Sequence, residues 1–215
     1  MAVTAANYLF LVKPFDRGTI SVRRGTSAVV GKFGITKMSH EKNIFTTNWI
    51  TVKQTARGFH YLERKGKDSV AIFLVRKSNV AAGREIEYEV LIRQQPLCID
   101  NSELNAELPL YPCPITGGIE TGESPEKAAI REVDEESGFS VQVVPLGKYI
   151  VGTQTNEICY MYYADVSDMQ PHTAQQDGSY FEAISKNEWH PFDYLSKCDY
   201  SACQIGYFKL RNILF

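Results

Sequence analysis

The chain has 215 residues, 44% of them hydrophobic and 22% charged, an ordinary globular composition with enough length to bury a real core. A formal net charge of −2 argues against a general polyanion binder, which carries a basic excess, so no nucleic-acid partner is expected. The five cysteines (Cys98, Cys113, Cys159, Cys198, Cys203) are odd in number and form no C-x-x-C, against a disulfide scaffold or structural zinc and for free thiols in a reducing compartment.

In chain order, the apolar run 5–12 is too short to span a bilayer and follows no Lys or Arg. No later stretch approaches a membrane span, so no membrane partner is expected and the expected home is the cytoplasm. Short β segments follow between polar turns, at 8–12, 19–22, 28–30, 48–55 and 59–63, with a turn at 64–68. Residues 69–76 are apolar on both faces, which predicts a central strand; residues 87–93 are its expected antiparallel neighbour, reached through a polar loop at 77–85. Residues 96–116, with Pro96, Pro109, Pro112 and Pro114, read as one long irregular loop. A helix at 125–137, strands at about 141–147 and 158–164, a polar loop at 167–178, a strand at 181–185 and a helix at 202–214 complete the reading. The expected fold is an α/β sandwich around a mixed sheet, divided into an N-terminal β-rich region, 1–67, and a main domain, 68–215.

The segment 117–139, GGIETGESPEKAAIREVDEESGF, carries the chemistry. Ser124 is a good N-cap, Pro125 suits the first helical position and Gly138 the residue after the last. At helical spacing Ala129, Ile130 and Val133 share an arc that can bury against a sheet. Glu132, Glu135 and Glu136 share a neighbouring arc, and Asp134 points elsewhere, towards Lys127 and solvent. No lysine lies on the carboxylate arc. A divalent cation, with magnesium the natural candidate, would neutralise it; a solvated acidic face is the other reading the helix leaves open. Gly117 and Gly118 allow backbone angles that other residues resist, with Gly122 a second flexible point, and such a loop can bring peptide groups to a phosphate or metal. Glu123 lies eight residues before Arg131, close enough for a loop-to-helix ion pair.

Gly117, Glu123, Arg131, Glu132, Val133, Glu135, Glu136, Gly138 and the apolar Phe139 together resemble the Nudix box, and the match is complete. The resemblance implies a loop–helix–loop on an α/β/α sandwich, with Glu132, Glu135 and Glu136 holding Mg2+ or Mn2+ at the catalytic centre and Glu123–Arg131 as a structural pair. The implied reaction is hydrolysis of a nucleoside diphosphate joined to another moiety. All box glutamates are present and no basic helix-turn-helix is evident, which favours an enzyme over a silent nucleotide-binding regulator.

Within the family the chain is most similar to ADP-ribose pyrophosphatases, through the strand end Val90-Leu91-Ile92-Arg93-Gln94-Gln95 and the β-rich N-terminal part. The lead-in Cys113-Pro114-Ile115-Thr116-Gly117 lacks their glutamate and Pro-Ala pair, and Thr155 stands where they have a proline. Other specificities (a dinucleotide, a coenzyme, a nucleoside triphosphate) therefore stay open. The resemblance makes the Thr116 carbonyl a metal donor and Glu157 a substrate contact. Gly117 and Gly118 are candidate substrate contacts through their peptide groups, and Arg93, at a strand end facing the site loops, suits a bidentate phosphate contact or is a surface charge closing the strand. Asp177 is the acidic general base, with Glu182 its competitor. One or two of Trp49, Tyr88, Tyr111, Tyr160, Tyr162 and Phe181 are expected to stack on a base, and the four histidines form no metal spacing. In the resembling enzymes the N-terminal β region pairs with a second subunit, which implies a homodimer.

Overall fold

The computed structural model describes residues 19–24, 27–32, 41–78, 87–98, 109–174 and 180–215, the first two segments by backbone alone. A hairpin of β1 (Thr19–Arg24) and β2 (Ser27–Lys32) is followed by a three-stranded antiparallel sheet of β3 (Lys42–Thr46), β4 (Ile50–Gln54) and β5 (His60–Arg64). The main sheet has seven strands: β6 (Ser69–Lys77), β7 (Tyr88–Pro96), β8 (Leu110–Cys113), β9 (Ile115–Gly118), β10 (Val144–Ile150), β11 (Ile158–Asp165) and β12 (Lys186–Pro191). Its order is β10-β11-β6-β7-β12, with β8 against β7 and β9 against β6; β6 and β11 run parallel. Helices α1 (Pro125–Ser137), α2 (Tyr180–Ile184) and α3 (Ser201–Leu214), with a 3₁₀ turn at Phe192–Lys197, complete the described architecture.

β6 is central because its whole apolar run is buried. Val70, Ile72 and Leu74 pack with Ala128, Ala129 and Val133 of α1, while Ala71, Phe73 and Val75 pack with Ala202, Cys203 and Leu210 of α3. Full burial of each such side chain contributes about 1.5–3 kcal/mol, so this strand fixes the layer order α1, sheet, α3. Cys113, Cys159, Cys198 and Cys203 are buried free thiols in that core, and Cys98 is exposed.

The three-stranded sheet is tied to the main sheet through the β10–β11 connection. Leu62 N–H donates to Gln154 O (2.8 Å), Asn156 Nδ2 donates to Glu63 (2.8 Å), and Arg64 pairs with the buried Glu157 (2.9 Å).

Several expectations need correction. Residues 110–118 are two strands, not irregular loop. Pro112 escapes notice because β8 is an edge strand, where a missing donor is tolerated. The strand expected at 141–147 begins at Val144 and runs to Ile150. Of residues 181–185, read as a strand, 181–184 belong to the short helix α2, whose five residues are too few to display a helical period. The strand after it, KNEWHP, has no apolar run to announce it, and β3 is exposed throughout. The segments expected at 8–12, and most of the loop at 77–85, lie outside the described residues.

Gly138 closes α1 with φ 73°, donating its N–H to Asp134 O, and its own carbonyl accepts from His172 N (2.8 Å). A Cβ there would stand 2.1 Å from His172 O. Gly138→Ala is expected to lower unfolding free energy by about 2 kcal/mol, from the left-handed backbone and the collision together, read as a lower urea midpoint at unchanged slope.

Candidate active site

Ser124 starts α1 by accepting from Lys127 N (3.2 Å), and Pro125 occupies its first turn. The helix lays Ala128, Ala129 and Val133 on the sheet, which turns Glu132 and Glu136 towards β9 and β7. Arg131 then organises the acidic side. Its Nε and Nη2 grip Glu123 (3.1 and 3.0 Å), Nη2 also donates to Gly118 O (3.0 Å), and Nη1 bridges Glu132 (2.8 Å) and Glu135 (3.0 Å). The Glu123 carboxyl is held below the usual carboxylate range by this hydrogen bond. The loop before the helix is thereby fixed to it through one guanidinium.

The carboxylate arc carries no lysine of the helix, yet two arginines that helical spacing does not place on it reach it. Arg131 starts off the arc, but its length carries Nη1 onto it, and Arg93 faces Glu136 from β7 at 3.2 Å. Glu135 remains the most open of the three, with its side chain 41% exposed. Among the described residues no three His, Cys, Asp or Glu side chains are gathered into a ready metal cage.

Glu136 is the buried member and Glu132 is half-buried. Burial pushes the Glu132 carboxyl up to about 7, with Arg131 pulling it back only in part. Burial pushes Glu136 up to about 8 against the pull of Arg93. Glu136 takes a main-chain hydrogen bond at Thr116, and its Oε2 has no hydrogen-bond partner. The Glu132 carboxylate lies against Gly117 so closely that a Cβ there would be 1.9 Å from Glu132 Cδ. The space a Cβ would take at Gly117 is therefore filled by the end of the Glu132 side chain. Positive φ occurs at Gly122 and Gly138 but not at Gly117 or Gly118, which sit in β9 paired to Val70 and Ser69.

The remaining expected site residues separate. Arg93 is 3% exposed, its Nη1 donating to Asn187 Oδ1 (3.3 Å), so it is neither a surface charge closing a strand nor an open phosphate clamp. Glu157 is spent on Arg64 at the junction of the two sheets. The Thr116 hydroxyl accepts from Gln95 (3.2 Å). Asp177 lies outside the described residues, whereas Glu182, in α2, is near enough for its charge to bear on Glu136. Asp134 stays partly exposed in the same surface cleft as Lys127, accepts from Ser140 (3.0 Å) and pairs with His172 (2.8 Å), which holds it below the usual range.

A cleft of about 570 Å³ opens beside Glu132, lined by Trp49, Arg64, Lys65, Gly118 and Arg131 among others. Lys65 Nζ stands 5.8 Å from the centre of the Trp49 ring, and Trp49 is 73% exposed. Reading the sequence missed Arg64 and Lys65, which look like ordinary turn charges until β5 docks against β11's approach.

The α/β sandwich thus carries buried Glu136 and half-buried Glu132 on a loop-anchored helix, beside a cleft lined by Arg64, Lys65 and Arg131 together with Glu120 and Glu132. A model described as the NUDIX domain matches residues 67–202, and the chain belongs to the Nudix family. It is similar to the ADP-sugar pyrophosphatase of Mus musculus, 27% identical over 147 residues, a match covering 65% of this chain and 60% of that protein. The chain thus spans less than two thirds of that relative's length. A crystal structure of an ADP compounds hydrolase shares the fold, with a TM-score of 0.51 and 18% identity over 82% of this chain and 92% of the other.

Proposed function

We propose that this chain is a metal-dependent pyrophosphohydrolase that cleaves a nucleoside diphosphate joined to another moiety, ADP-ribose or a related nucleotide sugar, into a nucleoside monophosphate and a phosphorylated product. The observation that carries the reading is the pair Glu132 and Glu136. Glu136 is buried and Glu132 half-buried, both are pushed up by desolvation, and one oxygen of Glu136 is unpartnered.

A hard dication fits this pair. Two carboxylates that burial holds near neutrality gain most from a cation that keeps waters and shares phosphate oxygens, as Mg2+ or Mn2+ does. Glu132 and Glu136 would hold it, with Glu135 joining by leaving Arg131 and the Thr116 main chain alongside. When bound, the metal neutralises charge developing on the phosphates and lowers the pKa of a water.

The other residues supply position. Arg64 and Lys65 bring positive charge to the cleft and suit the diphosphate. Trp49 offers an indole face to a base. Glu182, on α2 near Glu136, is the acceptor for the proton of the attacking water, in preference to Asp177. The similarity to a protein named ADP-sugar pyrophosphatase supports the substrate class. A homodimer through the N-terminal β region is part of the same proposal, supported by exposed Ile44, Phe45 and Phe59. Among the described residues no helix is long and apolar enough to cross a membrane, and a cytoplasmic site is proposed on the five free thiols.

The test is a panel of ADP-ribose, nucleotide sugars, dinucleotides, coenzyme A and nucleoside triphosphates with Mg2+, products resolved by chromatography. ADP-ribose is expected to give AMP and ribose phosphate fastest. Glu182→Gln is expected to slow kcat by about 10²-fold or more, and Asp177→Asn by much less. No turnover of any diphosphate, or a normal rate in Glu182→Gln with a large loss in Asp177→Asn, would respectively sink the reaction or the choice of base.

A further inference from the structure

Strand β12 is inconspicuous in sequence, yet its second residue stands directly across from Arg93 in antiparallel register. The carbonyl of Glu136 is among the last four of α1, which the helix leaves without an internal donor. Asn187 Nδ2 fills that gap, donating to Glu136 O at 2.7 Å. Its Oδ1 accepts from Arg93 Nη1 at 3.3 Å, and Arg93 Nε faces the Glu136 carboxylate at 3.2 Å. The contacts close a ring: Glu136 main chain, Asn187 amide, Arg93 guanidinium, Glu136 side chain.

We infer that Asn187 is a positioning residue for Glu136, holding that glutamate by its backbone and by its counter-charge at once. This rests on the hydrolase reading, in which Glu136 is a metal ligand. The chemistry leaves little choice of side chain. The ring needs one donor aimed at a carbonyl and one acceptor aimed at a guanidinium, a few ångströms apart, and a carboxamide carries both. Turned over, it would set oxygen against oxygen and amide hydrogens against the guanidinium, so its orientation is fixed. An aspartate keeps the acceptor for Arg93 but opposes the Glu136 carbonyl with a second oxygen. A leucine keeps neither contact. Without the ring, the last turn of α1 loses its tie to β12, and Arg93 loses the partner that holds it beside the carboxylate.

Groups behind a metal ligand contribute about 10–100-fold to metal affinity or activity. The full-length chain and its Asn187→Asp and Asn187→Leu variants would be titrated with Mn2+ alone, followed by electron paramagnetic resonance, and then assayed for diphosphate hydrolysis. Both variants are expected to bind Mn2+ about tenfold or more weakly and to lose kcat by a similar factor, with KM changed less than about twofold, because the cleft that binds substrate is untouched. Thermal melts establish that each variant is folded, and Asn187→Asp, the closer isostere, serves if the leucine variant is not. Folded variants with Mn2+ affinity and kcat within twofold of the parent overturn the inference, as does an equal loss carried by KM. A parent chain that binds Mn2+ yet cleaves no diphosphate removes the hydrolase reading while the Mn2+ comparison still decides this one. A parent chain that binds no Mn2+ overturns both.

Discussion

Glu136→Gln is expected to lower kcat by about 10²-fold or more and to leave a folded protein. Loss of a metal ligand removes several kcal/mol of charge stabilisation, and about 1.4 kcal/mol is already tenfold in rate. Glutamine keeps the shape and can still occupy the site beside Arg93. Burial raises the Glu136 carboxyl to about 8, so in the metal-free protein the neutral amide replaces a group whose charged form burial already disfavours.

That raised value has a signed consequence. The native state keeps a proton that the unfolded chain releases near its ordinary value of 4.5, so the stability it confers is complete below that pH and is lost as pH rises towards 8. Glu132 adds a similar dependence over the window up to about 7. Urea unfolding in EDTA should therefore show the parent losing more stability than Glu136→Gln between pH 5 and pH 8. Added Mg2+ selects the ionised carboxylates and should stabilise the parent most at the alkaline end. Near-normal turnover in the variant, or parallel stability curves for the two proteins, would remove Glu136 from the role assigned to it.

Gly117→Ala should separate activity from stability. The new methyl would lie 1.9 Å from Glu132 Cδ, so one of them must move, and the free end of a flexible side chain moves at little cost. Gly117 has no positive φ, so alanine fits its backbone. The expected result is a melting temperature within a few degrees of the parent and a kcat lowered about 10-fold or more, as the carboxylate is pushed off its position. A large loss of stability with activity per folded molecule intact would mean that the backbone of β9 yields instead of the glutamate.

Much of this was legible in the amino-acid sequence because it depends on local rules. Ser124, Pro125 and Gly138 marked both ends of α1, and the unbroken apolar run of β6 marked the centre of the sheet. What escaped depends on distant partners. A helical wheel assigns Arg131 to its own angle and cannot say that Nη1 reaches Glu132 and Glu135. Arg93 appears as a charge at a strand end until β12 covers it, and β12 itself lacks the apolar alternation by which strands are recognised. Gly117 was expected to serve through its torsions and serves through its missing Cβ, a distinction that only the position of Glu132 can make.

The junction between the small sheet and the main one divides labour along the chain. Trp49, Arg64 and Lys65 all precede residue 67, where the family match begins, while every box glutamate follows it. Under the proposed reading, substitutions at Trp49, Arg64 and Lys65 would re-shape what the cleft admits without replacing a box carboxylate. The Arg64–Glu157 pair, with the Leu62–Gln154 and Asn156–Glu63 bonds, holds the small sheet against the main one.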